Sequence, residues 1–327
     1  MLNHTTLFGG HRYPLGARFK RAKSQKTDIF VTVAFRNADR STSGEAASKD
    51  PLGLKGSSDY SRCMYVDVHA HLIHPKFEGE EDAVAQRALE AGLEYVIVNG
   101  LEPVSNRAVL DLCERHTHLL PACGIYPVDA IAREIDAQGW EHGFEPPAIF
   151  DPEEEIAFID SVADRLVAIG EIGLDQHWVK NHAARQEEIF RELIKVAQKH
   201  DKPIIIHTRK AEARSFEILQ EMGVERADFH CYGGKLKLAK RIAAAGYYLS
   251  IPPVVVKAES FQRIVAELPV EQLLTETDCP YMGPDSGERN EPKNVPRGVE
   301  AMAKVKGVST DELAGQIREN FRRLFRC

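Results

Sequence analysis

From Met64 onward, short apolar runs alternate with longer amphipathic stretches, and this alternation constrains the fold more than any other feature of the chain. Short runs of that kind suit strands covered on both faces, and the stretches between them supply the crossover helices that parallel strands require. Eight candidate strands follow: Tyr65 to His69, Tyr95 to Val98, Leu119 to Gly124, Val167 to Glu171, Pro203 to His207, Ala227 to His230, Tyr247 to Ile251 and Gln272 to Glu276. Helical periodicity marks Glu80 to Ala91, Glu153 to Leu166, Ala183 to His200, Ala211 to Met222, Leu236 to Ala245 and Glu259 to Leu268. A C-terminal pair, Val295 to Val305 and Thr310 to Leu324, follows, the second begun by Ser309 or Thr310 as a cap. Eight strands in about 260 residues fit an α/β chain folded as a (β/α)8 TIM barrel better than a doubly wound sheet.

Residues 1–63 differ from this body. They hold 11 Lys and Arg against 5 Asp and Glu, a surplus of +6, which leaves 31 against 44, or -13, for the remainder of a chain with net charge -7. Small residues interrupt them and no period persists, so they are expected to be a mostly disordered extension to a single-domain barrel over 64–327. Residues 1–27, basic and free of acids, are compatible with an organellar presequence; a start misplaced upstream of Met64 is the plainer alternative. No segment approaches the roughly 18 uninterrupted apolar residues of a membrane span, so no membrane partner is expected. The six cysteines form no C-x-x-C pair, which argues against disulfide scaffolds and makes a reducing, cytoplasmic setting the default. No G-x-G-x-x-G follows the first strand and no Walker A motif occurs, so no nucleotide cofactor is expected.

In a barrel of this kind the chemistry sits at the carboxyl ends of the strands. Strand one ends in His69-Ala70-His71, strand four in Gly170-Glu171-Ile172-Gly173, strand five in His207-Thr208-Arg209, strand six in His230-Cys231 and strand eight in Glu276-Thr277-Asp278. Residues i and i+2 face the same way along a strand, so His69 and His71 can grip one ion together. Four imidazoles and two carboxylates converging at one mouth make a transition-metal site with room for two ions. A lone strand-end histidine is more often a hydrogen-bonded core or surface residue, but here that plainer reading must hold at several strand ends at once. Asp67 is either a partner behind a ligand or a structural acceptor; Asp175 orients the loop or reaches the site, the structural role being the better reading; Glu276 is a base behind the ligands or a buried ion-pair partner.

These residues resemble the TatD family of metal-dependent hydrolases, within the wider amidohydrolase-like barrels. The resemblance spans Met64 to about Phe325 and rests on V-D-V-H-A-H-L (Val66 to Leu72), I-G-E-I-G-L-D (Ile169 to Asp175), I-I-H-T-R (Ile205 to Arg209), H-C-Y-G-G (His230 to Gly234), E-T-D-C-P-Y (Glu276 to Tyr281) and R-N-E-P (Arg289 to Pro292). It implies a binuclear site in which His69, His71, Glu171 and Asp278 hold one divalent cation and Glu171 bridges to a second held by His207 and His230. Zn, Mn and Mg are the candidate ions. Family members are described as deoxyribonucleases that remove nucleotides from DNA 3′ ends or cut at damaged sites, so DNA is the implied substrate. The family usually carries G-x-H-P after strand three, where this chain reads Gly124-Ile125-Tyr126-Pro127. A tyrosine can donate a hydrogen bond to phosphate but cannot carry an imidazolium's charge.

In the implied reaction Asp278 orients the attacking water and accepts its proton, with Glu171 beside it. Arg209 and Arg289 are the candidates to clamp phosphate, because a guanidinium fork matches its oxygens; the alternative for each is an ion pair to a loop carboxylate. An acidic body cannot attract DNA by bulk charge, so metals and local arginines must do it. No aromatic-plus-basic stripe for single strands stands out. The stretch Ala137 to Pro152, rich in Gly, Pro and aromatics, reads as an enlarged loop near the mouth. Tyr126 and that loop motivate a second reading, hydrolysis of a small ester, lactone or amide at the same metals; a catalytically silent scaffold is the third. The chain is expected to act as a monomer.

Overall fold

The β-strands form where β-branched and aliphatic residues cluster between turn signals, and each is covered on both faces once the helices pack. The computed structural model describes residues 64–135, 140, 142 and 146–327. The expectations about residues 1–63, and part of the loop expected over Ala137 to Pro152, lie outside the described residues. The strands are β1 (Tyr65–Ala70), β2 (Leu93–Asn99), β3 (Leu119–Cys123), β4 (Ala168–Asp175), β5 (Ile204–Arg209), β6 (Ala227–Phe229), β7 (Tyr248–Ile251) and β8 (Leu273–Thr275). They make one parallel sheet in the order β1-β2-β3-β4-β5-β6-β7-β8. The seam between β8 and β1 is drawn together by the last residue of β8 and the segment after it: Thr275 Oγ1 donates to Val66 O at 2.6 Å, Asp278 N to His69 O at 2.8 Å and His71 N to Cys279 O at 3.2 Å. The expected TIM barrel is the observed architecture.

Helices α1 (Glu81–Glu90), α2 (Pro103–Cys113), α3 (Pro152–Val162), α4 (Ala183–Lys199), α5 (Glu212–Glu221), α6 (Leu236–Ala244), α7 (Glu259–Glu267), α8 (Val295–Lys306) and α9 (Thr310–Phe325) surround the sheet. Their ends follow from local chemistry. Glu102 caps α2 through Val104 N and Ser105 N, with Pro103 in the first turn, where its missing N–H costs nothing. Of the two caps expected for α9, Ser309 serves, its hydroxyl accepting from Glu312 N at 3.2 Å. Gly307 ends α8 at φ 71°, a left-handed position that glycine adopts without strain. The core beneath is aliphatic: Val66, Val68, Val96, Ile97, Ile169, Ile172, Ile205, Ile206, Leu249 and Leu273 are fully buried. Each such side chain contributes about 1.5–3 kcal/mol of burial free energy, which holds the strand ends rigidly enough to present a polar site. Among the described residues no helix is long and apolar enough to cross a membrane.

Candidate metal centre

Barrel closure brings the six expected ligands to one end. His69 lies in β1 and His71 just beyond it, Glu171 in β4, His207 in β5, His230 one residue after β6 and Asp278 three residues after β8. All six are at most 5% exposed. The Nε2 atoms of His69 and His71 stand 3.0 Å apart, as their i, i+2 spacing predicts, and Glu171 Oε2 is 3.4 Å from each. Asp278 Oδ1 approaches the same two nitrogens at 3.8 and 3.6 Å. The other oxygen of Glu171, Oε1, lies 2.8 Å from His207 Nδ1 and 3.0 Å from His230 Nε2, and those two nitrogens are 3.3 Å apart. Donors bound to one ion at about 2.0–2.2 Å sit about 2.9–3.5 Å from each other, so the groups His69, His71, Glu171 and Glu171, His207, His230 are close to the spacing of a metal's ligand shell, and Asp278 Oδ1 stands a few tenths of an ångström farther out. Glu171 Oε2 and His69 Nδ1 are buried and make no hydrogen bond, and the Oε2 atom is aimed at the histidine pair. Among the described residues, three overlapping groups could hold a metal ion: His69, His71 and Glu171; Glu171, His207 and His230; and His69, His230 and Asp278.

Partners behind the ligands fix which imidazole nitrogen faces inward. His71 Nδ1 donates to Asn99 O at 3.1 Å, which leaves Nε2 with its lone pair toward the cluster. His207 Nε2 donates to Asp175 Oδ2 at 3.1 Å, which directs Nδ1 inward in the same way. Asp175 is itself pinned, because its Oδ1 accepts from the backbone N–H groups of His177 and Trp178 and its Oδ2 accepts from the Tyr126 hydroxyl at 3.1 Å. Asp175 therefore reaches the site, one bond behind a ligand. Sequence reading favoured a loop role because Asp is a common turn residue; I-G-L-D extending β4 as far as Asp175 was the available signal.

The electrostatics of the cluster are set by burial and by the contacts between its imidazoles and Glu171. Burial alone would raise the Glu171 carboxyl, but His230, His69 and His207 draw it well below the usual carboxylate range. Burial, reinforced by the charge of His230, pushes His69 down to about 3, so that imidazole is neutral and able to ligate. Burial opposes protonation of His207 and His230, yet both are raised, the first by Asp175 and Glu171 and the second chiefly by Glu171. Behind His230, Ser250 Oγ lies 2.7 Å from both Asp228 Oδ2 and Glu276 Oε2. A hydroxyl donates only one proton, so one of these carboxyls must supply its own. Consistently, burial and the charge of Glu276 push Asp228 up to about 7.

Other expected residues take definite places. Asp67 is a structural acceptor: its carboxylate receives His69 N, Thr277 N and Thr277 Oγ1, tying β1 to the segment that carries Asp278. Arg209 ends β5 two residues past His207, its guanidinium carbon 4.8 Å from the Trp178 ring centroid. Arg289 donates to Glu80 Oε2 at 2.9 Å, Glu291 Oε1 at 3.0 Å and Lys76 O at 2.6 Å, which is the ion-pair arrangement weighed as its alternative. Tyr126 is 1% exposed, with its ring 4.8 Å from that of His207. Asn290, beside Arg289, was not singled out, yet its amide donates to Thr277 O at 2.9 Å and Tyr281 O at 2.7 Å and so clips the loop bearing Asp278. Two glycines permit the close strand packing: a methyl on Gly124 would overlap the Glu171 carbonyl oxygen, and one on Gly173, at φ 144°, the carbonyl oxygen of His207.

An eight-stranded parallel barrel with imidazoles and carboxylates gathered at its carboxyl end defines a metal-dependent hydrolase. The chain belongs to the TatD-related DNase family, whose model matches residues 66–326. It is 34% identical over 271 residues to YabD of Bacillus subtilis, an uncharacterized metal-dependent hydrolase, covering 80% of this chain and 99% of that one. It is 31% identical over 265 residues to human deoxyribonuclease TATDN3, covering 80% and 94%. Among solved structures, the TatD homologue YjjV of Escherichia coli superposes with a TM-score of 0.70 at 27% identity, covering 81% of this chain and 99% of that one.

Proposed function

We propose that the protein is a metal-dependent phosphodiesterase acting on DNA, with two divalent cations held at the barrel mouth. One observation carries the reading: Glu171 turns Oε2 to His69 and His71 and Oε1 to His207 and His230. Offering each carboxylate oxygen to a different imidazole pair would let Glu171 serve two ions at once. His69, His71 and Asp278 complete one ligand set, and His207 and His230 the other. The deoxyribonuclease name of the human relative supports DNA as the substrate. Bound dications would supply Lewis acidity at a phosphoryl oxygen and an acidified water.

The chain's own groups do the rest. Asp278 turns Oδ1 to His69 and His71; its carboxylate accepts the proton released as water attacks phosphorus, and returns it to the leaving sugar oxygen as the P–O bond to that oxygen breaks. Arg209 sets its guanidinium fork against phosphate. Tyr126 acts from behind, holding Asp175 against His207, and Arg289 braces the loop that ends in Glu291. The commitment of Tyr126 to Asp175, where the family usually has histidine, favours one competing reading, a small ester, lactone or amide as substrate. Gathering six ligands at one mouth argues against a silent scaffold.

The test is incubation of the full chain with single-stranded, duplex and abasic DNA across Zn, Mn and Mg, with Glu171→Ala as blank. Nucleotide release that EDTA and Asp278→Ala both abolish is the expected result. Full activity of the Asp278→Ala variant would overturn the mechanism, and intact DNA beside an opened lactone would transfer the assignment to the competing substrate.

A further inference from the structure

The chain has two tryptophans, Trp140 and Trp178, which lie 38 positions apart and pack on the same apolar cluster. The ring of His142 sits between them, 4.4 Å from Trp140 and 5.5 Å from Trp178 by centroids, at interplanar angles of 81° and 69°. Both indoles pack, partly buried, on a small apolar cluster of Leu101, Tyr126 and Val128 that stands apart from the main core. That cluster adjoins the metal ligands: the Tyr126 ring touches His207, and Trp178 N donates to Asp175 at 2.9 Å, whose other oxygen holds His207. Arg209 lies over the face of Trp178, and the exposed Lys210 follows it. Nothing in the hydrolytic step uses these rings, although they line its edge.

We propose that Trp140, His142 and Trp178 form a stacking wall for an unpaired nucleobase, with Arg209 placed at the phosphate of the same nucleotide. The inference rests on the DNA reading and narrows it to strand ends or single strands. Bases have flat π faces that aromatic rings accept with little regard to sequence, and a base inside a duplex has both faces covered by its neighbours. The Arg209 guanidinium over Trp178 combines a planar cation with an aromatic plane, the pairing that receives a base and its phosphate together. A body with a charge of -13 beyond residue 63 makes such a local cation necessary. This also revises the sequence reading, in which no aromatic-plus-basic stripe was visible, because the stripe exists only after strands β3, β4 and β5 are side by side.

Both tryptophans lie in the wall, so the intrinsic indole emission of the protein reports on this site. The experiment titrates the Mn-loaded full chain with phosphorothioate oligothymidylate, and with the same backbone made abasic over its last three positions, while cleavage of the unmodified strands is measured in parallel. The base-bearing strand is expected to quench emission and to bind about tenfold more tightly than the abasic one, as for one base on an aromatic ring. In Trp140→Ala, and separately in His142→Ala, that ratio should fall toward one by anisotropy of a labelled strand; the second variant covers the case in which the first does not fold. Equal affinity of the unsubstituted protein for the two strands overturns the wall, as does an unchanged ratio in folded variants. If the protein discriminates the strands but cleaves neither with any metal, the nuclease reading falls and the wall stands. Cleavage of both strands with equal kcat/KM keeps the nuclease reading and removes the wall.

Discussion

On the outer helices, Arg214 of α5 pairs with Glu187 at 2.8 Å and Glu221 at 2.7 Å, with side chains 38%, 25% and 46% exposed. At the barrel mouth, Asp67, Glu171, Asp175, Asp228 and Glu276 are fully buried. The same functional groups thus obey different physics. Outside, water already solvates each charge, and a pair adds about 0–1 kcal/mol. Inside, an unpaired charge costs several kcal/mol, so each carboxylate must be met by histidine, backbone N–H or hydroxyl donors, or by a metal ion. The mouth is expensive in stability, and barrels that kept only structural needs would fill it with aliphatic side chains.

Substitutions that remove charge from one region and then the other should sharpen this contrast. The largest effect is expected for Glu171→Gln, which withdraws a charge shared by both imidazole pairs; elemental analysis should find the metal lost and activity reduced to the level of EDTA-treated protein. A protein that retained its metals after this change would break the account of the mouth. Asp175→Asn should cost about 10–100-fold in metal affinity, read by chelator competition, because His207 loses the carboxylate that fixes its ring. Asn290→Ala takes the side-chain donor from the buried Thr277 carbonyl and from the half-buried Tyr281 carbonyl and should lower stability by about 1–3 kcal/mol in urea unfolding. The smallest effect belongs to the outside: Arg214→Ala should change the unfolding free energy by less than about 1 kcal/mol, and a loss comparable to that of Asn290→Ala would refute the contrast.

What could be read from sequence divides along the same line. The eight strands were legible because buried parallel strands must be apolar, and the clustering of imidazoles and carboxylates because a polar residue that ends such a run has few structural reasons to be there. Boundaries erred where that signal was weak. β4 runs on to Asp175 past Gly173, and α2, opened by Pro103 and capped by Glu102, was not singled out among the helices. The roles of Asn99, Asp175 and Asn290 were harder to read: Asn99 acts through its main-chain carbonyl, which any residue offers, and Asp175 and Asn290 carry side chains that are also common in turns. Their roles arise from partners 28, 32 and 13 positions away, which only closure supplies. The aromatic wall was hidden for the same reason.

Gly124 and Gly173 carry no functional group, yet they set how near β3 and β5 stand to the strand bearing Glu171. A library randomised at these two codons and screened for metal content should return glycine almost alone. Variation in the chemistry of such an enzyme is thereby steered away from its strand spacing and toward the loops above it, where an added side chain meets solvent instead of a neighbouring peptide.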